Sequence, residues 1–170
     1  MSSQIRPESA SDLRALIGAV LGPTEWYTVD QSKVDGFAEA TGDRQWIHID
    51  RERAASSPLG GTIVHGLFTL GLGPRFFEEL ISFDGFAHSL NYGYGKVRFP
   101  APFPVAARVR MHLSIDAVDD VRGGVQLTST QTFELEGADK PVCVAESLAR
   151  LVEREGDPPR TLREGVEHAS

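Results

Sequence analysis

Apolar residues recur at helical intervals in the first half of the chain and at intervals of two in the second. Over residues 9–21, Ala10, Leu13, Leu16, Ile17 and Val20 share one face, opened by Ser and Asp capping chemistry and stopped by Gly22-Pro23. A short strand is predicted over 25–29, carrying Trp26, Tyr27 and Val29. Asp30 or Ser32 then caps a second helix with Val34, Phe37, Ala38 and Thr41 on one face, and Gly42 terminates it. Residues 43–48 are therefore expected as a loop leaving a helix, 50–55 as a short helical turn and 56–61 as a flexible loop.

Residues 65–82 form the longest predicted helix, with Leu67, Phe68, Leu70, Leu72, Phe76 and Phe77 distributed nearly all round it. A helix without a polar face must be surrounded. Pro74 should end or kink its first segment, and Gly66, Gly71 and Gly73 point to close approach by other backbone or by a ligand. Beyond Asp84-Gly85 strands are predicted over 87–99 and 105–116, the second with Val109, Met111, Leu113 and Ile115 alternating with polar residues. Gly123-Gly124 turns into a third strand with Val125, Leu127, Phe133 and Leu135, and residues 137–140 turn into a fourth over 142–152. Short connections make these strands antiparallel. The expected class is α+β, one long central helix wrapped by a curved antiparallel sheet. Residues 1–23 read as an N-terminal helical extension, 24–152 as the core domain and 153–170 as a flexible tail.

Composition narrows the function classes. At 170 residues the chain suits one domain, and 24 acidic against 17 basic side chains give a net charge of −7. That balance, with no basic run, argues against a nucleic-acid grip through phosphates. One cysteine, Cys143, excludes an intrachain disulfide, and it alternates with Ala145, Ser147 and Ala149 as a core residue would. The apolar segment 59–77 is broken by Gly, Thr, His, Pro and Arg, short of the roughly 20 clean apolar residues of a membrane span. A soluble cytoplasmic protein is expected.

Candidate chemistry concentrates in two places. In Phe37-Ala38-Glu39-Ala40-Thr41-Gly42-Asp43-Arg44-Gln45-Trp46-Ile47-His48-Ile49-Asp50 a carboxylate and an imidazole stand five residues apart among apolar neighbours. Asp43 and His48 could hold one water and move a proton off it; an Asp cap and a His bonded to a loop carbonyl is the plain alternative. In Gly60-Gly61-Thr62-Ile63-Val64-His65-Gly66 the chain runs into the long helix, whose first N–H groups have no internal partner. Gly66 would let a ligand oxygen reach them, or simply permit tight packing, and His65 reads as a satisfied core histidine. No triplet of His, Cys or carboxylates has metal-ligand spacing, so no metal is expected.

Taken together, residues 37–50, Ala54-Ala55 and Ile63-Val64-His65-Gly66 resemble the signature of MaoC-like (R)-specific enoyl-CoA hydratases, F-A-x-x-T-G-D-x-N-P-x-H-x-D followed by I-x-H-G. Asn91-Tyr92-Gly93 and the segment 96–102 resemble the nodulation-protein-N-like branch of that family. The resemblance implies a single hot-dog domain over 24–152 and reversible hydration of a trans-2-enoyl-CoA, with Asp43 and His48 as the catalytic pair. It also implies that the Gly66 N–H is the donor to the thioester oxygen. Gln45 and Trp46 replace the pattern's Asn and Pro, and with Asn91, Lys96 and Arg98 they are candidate substrate contacts. The expected product is the (R)-3-hydroxyacyl thioester. No cofactor is expected, since coenzyme A is part of the substrate and hydration moves no hydride. The expected assembly is a homodimer, because a lone hot-dog sheet leaves an open edge. The rival readings are a thioesterase on the same fold and a non-catalytic acyl-thioester-binding subunit.

Overall fold

The computed structural model describes residues 4–154. Helix α1 spans Ala10–Ala15, and a reciprocal capping box joins Ser9 and Asp12 at its start. It is shorter than its apolar period suggested. At Gly18, with φ of 86°, the chain turns away, and the Gly18 N–H donates to the Ile115 carbonyl at 2.8 Å. Val20–Leu21 (β1) then pairs with a long strand instead of continuing the helix, so the N-terminal segment is built into the sheet. The competing principle is the edge of that strand, whose free N–H and C=O groups recruit the chain.

After β2, Tyr27–Thr28, helix α2 covers Gln31–Thr41. Asp30 caps it by accepting from the Lys33 N–H, and Gly42 ends it in the left-handed region at φ 77°. Two short helices follow, α3 (Trp46–Ile49) and α4 (Arg51–Ala55), the latter capped by Asp50. The long helix is divided at Leu72 into α5 (Gly66–Gly71) and α6 (Gly73–Leu80), with Pro74 in the first turn of α6. Proline is tolerated there because first-turn N–H groups have no helical partner. The expected surrounding of this helix is incomplete: Leu67 is 65% exposed.

Strands β3 (His88–Arg98), β4 (Arg108–Val121), β5 (Gly124–Leu135) and β6 (Cys143–Val152) complete an antiparallel sheet. Its order is β1-β4-β5-β6-β3, with β2 also pairing β4, so β3 forms an edge. The period of two holds through Val109, Met111, Leu113 and Ile115, all buried, and slips by one at a bulge between Ile115 and Ala117. The core sits between this face and the helices. Phe76 meets Tyr27 edge-on at 6.2 Å and Phe133 at 6.1 Å. The tail expected over 153–170 lies, beyond Arg154, outside the described residues.

Gly36 within α2 and Gly42 at its C-cap test these assignments with opposite signs. Gly36 is exposed within the helix, and a Cβ there would meet nothing within 4 Å. Gly36→Ala is therefore expected to raise unfolding free energy by up to about 1 kcal/mol. Gly42 holds φ 77°, so Gly42→Ala should lower it by about 1–2 kcal/mol, and urea unfolding of the two variants measures both.

Candidate active site

The left-handed turn at Gly42 reverses the chain and delivers Asp43 half-buried beside α3. His48 is on α3, not on a loop, and it is 6% exposed. The reason is local. His48 N–H donates to the Gln45 carbonyl at 3.0 Å and Asp50 N–H to the Trp46 carbonyl at 3.0 Å, closing one turn where a loop was expected. Segment 62–65 runs alongside, with the Ile63 N–H donating to the Ile47 carbonyl at 2.9 Å. The Ile63 carbonyl in turn lies 2.7 Å from His48 Nδ1. A carbonyl only accepts, so Nδ1 carries the proton and Nε2 presents a lone pair when the ring is neutral.

His65 is the residue that sequence reasoning undervalued. Its ring stacks on that of His48 with centroids 3.7 Å apart and planes 25° from parallel. Its Nε2 lies 2.9 Å from the Asp43 backbone carbonyl and therefore donates to it, tying Asp43 to the start of α5. Nδ1 is buried without a partner among the described residues, so His65 is not a fully satisfied core histidine. Phe37 backs the pair at 4.9 Å from His65, which accounts for its place on the buried face of α2. Gln31 was also missed. Its amide donates to the His48 carbonyl at 2.7 Å and accepts from Thr62 Oγ1 at 2.5 Å, linking α2, α3 and the 62–65 segment. Nothing in its surface-like sequence position advertised that bridge.

One ligand-type atom from each of Asp43, His48 and His65 lies within 4.8 Å of the others. A metal ion fits this trio poorly. Ring lone pairs lie in the ring planes, and two planes stacked 3.7 Å apart cannot converge on one ion. A water suits it better, because two hydrogen bonds of about 2.8 Å span such a gap. Burial pushes the His48 pKa below its ordinary 6.5, and the neighbouring His65 adds to this; the Ile63 carbonyl and the Asp43 charge oppose. The net is a ring that is neutral near pH 7 and able to accept a proton.

The remaining candidates are distributed unevenly. Gly66 opens α5 next to this group, and a Cβ there would lie 3.0–3.1 Å from the Phe99 ring, a tight fit unless that ring shifts by a few tenths of an ångström. Arg98 and Lys96 are exposed on the end of β3 that leads to Phe99. Asn91 is at the other end of that strand, roughly 20 Å away, with its amide on the Tyr94 hydroxyl at 3.2 Å. It borders a cavity of about 950 Å³ also lined by Pro74, Phe77, Gln131 and Ser147; Asp43, His48 and Gly66 are not in its wall. Gln45 precedes α3 with an exposed side chain and makes no cap bond. Trp46 is half-buried under the Arg53 guanidinium, 4.4 Å from its ring centre.

The family model of the MaoC like domain matches residues 12–136. A 3-hydroxyacyl-thioester dehydratase Z of Mycobacterium tuberculosis is 50% identical over 146 residues, covering 85% of this chain and 97% of that protein. Nodulation protein N of Rhizobium leguminosarum bv. viciae is 38% identical over 158 residues, covering 91% and 98% respectively. Among solved structures, R-hydratase PhaJ1 from Pseudomonas aeruginosa aligns with a TM-score of 0.66 at 19% identity, covering 94% of this chain and 99% of its own. A monoamine oxidase regulatory protein from Archaeoglobus reaches a TM-score of 0.71 at 18% identity, covering 88% and 97%. The sheet curved around a central helix is thus the expected hot-dog fold. With a family match over most of its length and relatives this similar along nearly their whole chains, the protein belongs to the MaoC-like dehydratase family.

Proposed function

We propose that the protein is an (R)-specific enoyl-CoA hydratase, acting reversibly as a 3-hydroxyacyl-thioester dehydratase, with Asp43 and His48 as its catalytic pair. The observation that carries this reading is the committed Nδ1 of His48. With that nitrogen held by the Ile63 carbonyl, Nε2 is the free base, and the His48 ring and the Asp43 carboxylate offer atoms within 4.8 Å of one another, close enough to share one water. His48 takes a proton from the water as its oxygen bonds to C3 of the enoyl thioester. The Asp43/His48 pair returns a proton to C2 on the same face, completing syn addition. Which group carries the returning proton is a property of the coupled pair. The Gly66 N–H stabilises the enolate-like oxygen, a contact type worth roughly 3–4 kcal/mol. Dehydration is the same path reversed, and neither direction needs a redox cofactor because no hydride moves.

The substrate's acyl chain runs along α5 toward the cavity beside Pro74 and Phe77, and Arg98 and Lys96 meet the coenzyme A phosphates. Many thioesterases on this fold use a carboxylate on the central helix, and residues 66–74 offer none, which disfavours that reading. No helix among the described residues is long and apolar enough to cross a membrane. Burial pushes the Cys143 thiol pKa up to about 12 and leaves it inert, and we assign the protein to the cytoplasm.

The working unit is a two-fold homodimer. Strand β3 presents an edge carrying Leu90 and Tyr92, each more than half exposed, and α5 presents Leu67. Pairing two such edges would cover these residues and complete both sites. Sedimentation should give twice the chain mass, and Leu67→Asp combined with Leu90→Lys should give a monomer with little activity. An active wild-type monomer would refute this assembly.

Loss of crotonyl-CoA absorbance, with chiral analysis of the product, tests the reaction itself. Asp43→Asn and His48→Gln should each lower the rate at least about a hundredfold. An (S) product, or an active double variant, refutes the mechanism.

The pH profile follows from the lowered His48 pKa. The base works only when neutral, so kcat/KM should fall as pH drops through a value below 6.5. The same depressed pKa makes His48 contribute stability that is present above 6.5 and lost as pH falls through the folded value. Activity already half lost above pH 6.5 would contradict this assignment.

A further inference from the structure

The sheet face beneath the central helix should be apolar, yet three neighbouring positions on it are not. Ser129 and Gln131 on β5 and Ser147 on β6 are 1%, 3% and 6% exposed, and Ser129 pairs directly with Ser147. Gln131 Oε1 is buried without a hydrogen-bond partner among the described residues. An orphaned buried group of this kind costs about 1–3 kcal/mol, and an apolar side chain would avoid it. The amide lies under the junction of α5 and α6, where a Cβ on Gly73 would come within 2.6 Å of Oε1.

Gln131 and Ser147 form part of the wall of the 950 Å³ cavity, opposite Phe77 and Phe83. That volume is at the upper end of small-ligand cavities. Of the charged groups that line it, Arg6 pairs with Asp84 at 3.8 Å and Arg154 donates to the Asp84 carbonyl at 2.6 Å, while the polar side chains beside Gln131 on the sheet, Ser129 and Ser147, are neutral. A neutral polar ligand group therefore fits better than an ionised one. A hydroxyl both donates and accepts, so it satisfies the amide in either orientation. Gly73 is seven residues along the helical path from Gly66, about 10 Å at the usual rise. A medium-length acyl chain covers that distance.

We infer that Gln131, assisted by Ser147, recognises a hydroxyl group on the far part of the acyl chain, so that the preferred substrates are medium-chain enoyl thioesters oxygenated well beyond C3. The inference rests on the hydratase reading above. Its test compares trans-2-enoyl-CoA pairs of six, eight, ten and twelve carbons, each with and without a terminal hydroxyl. At one chain length the hydroxylated member should exceed its plain counterpart in kcat/KM by at least about tenfold, because a site built for a hydroxyl rejects its absence. At the other lengths the ratio should stay near one. In Gln131→Leu the tenfold ratio should collapse, and in Ser147→Ala it should shrink. The ratio is internal to each preparation, so partial misfolding does not mimic the result, and the wild-type length scan stands even where a variant fails to fold. A wild-type ratio near one at every length means that the cavity holds water or plain hydrocarbon, and overturns the inference while crotonyl-CoA hydration continues. Retention of the tenfold ratio in Gln131→Leu also overturns it. Failure to hydrate crotonyl-CoA removes the hydratase reading and this inference together.

Discussion

The bond between His48 Nδ1 and the Ile63 carbonyl, 2.7 Å long, is the constraint on which the site depends. It performs two tasks with one proton. It chooses the tautomer that leaves Nε2 free, and it joins helix α3 to the segment entering α5. That segment is itself fixed from the other side, since Val64 donates to the Phe103 carbonyl at 2.8 Å and Val105 to the Thr62 carbonyl at 2.9 Å. The imidazole is thus referenced to backbone on three separate stretches of chain. Backbone carbonyls cannot change rotamer or charge, so this reference is more rigid than a side-chain partner would be.

The stacked pair of imidazoles adds an electrostatic layer. Two rings 3.7 Å apart resist carrying charge together, so His65 contributes to the lowered pKa of His48, behind the larger effect of burial. Asp43 pulls the other way, yet its backbone carbonyl is held by His65. One residue therefore opposes protonation of the base and positions the carboxylate that favours it. A balance of this kind suits a group that must gain and release a proton in each turnover.

Much of this was legible in the sequence. The α+β layout, an N-cap at Asp30 or Ser32 that the structure gives to Asp30, the Gly42 terminator of α2 and the period of two on β4 all follow from local chemistry. Long-range competition defeated the rest. The helix expected over 9–21 yielded at Gly18 because the edge of β4 offered hydrogen bonds that no local window can see. His48 moved from a loop to α3 because a single helical turn is worth too little locally to predict and is held by its neighbours. Gln31 and His65 were undervalued for a related reason. A bridging amide and a histidine stacked on another histidine are defined by what folds against them, and spacing along one chain carries no record of that.

The central helix connects these observations to substrate selection. A Cβ on Gly66 at its start would press on the Phe99 ring, and one on Gly73 at its internal junction would press on the Gln131 amide. Each glycine faces a side chain from a different strand region, one following the edge strand β3 and one from the middle of the sheet. At both points the missing side chain lets the helix backbone stand close to the layer it packs on. The first point sets where a carbonyl oxygen would meet the Gly66 N–H, and the second sets where the buried amide stands. Close-packed interiors transmit such constraints rather than absorbing them. On the proposed acyl path the chain runs between these two groups, about 10 Å apart along the helix, and a separation set by helix rather than loop is what a protein needs to measure a chain.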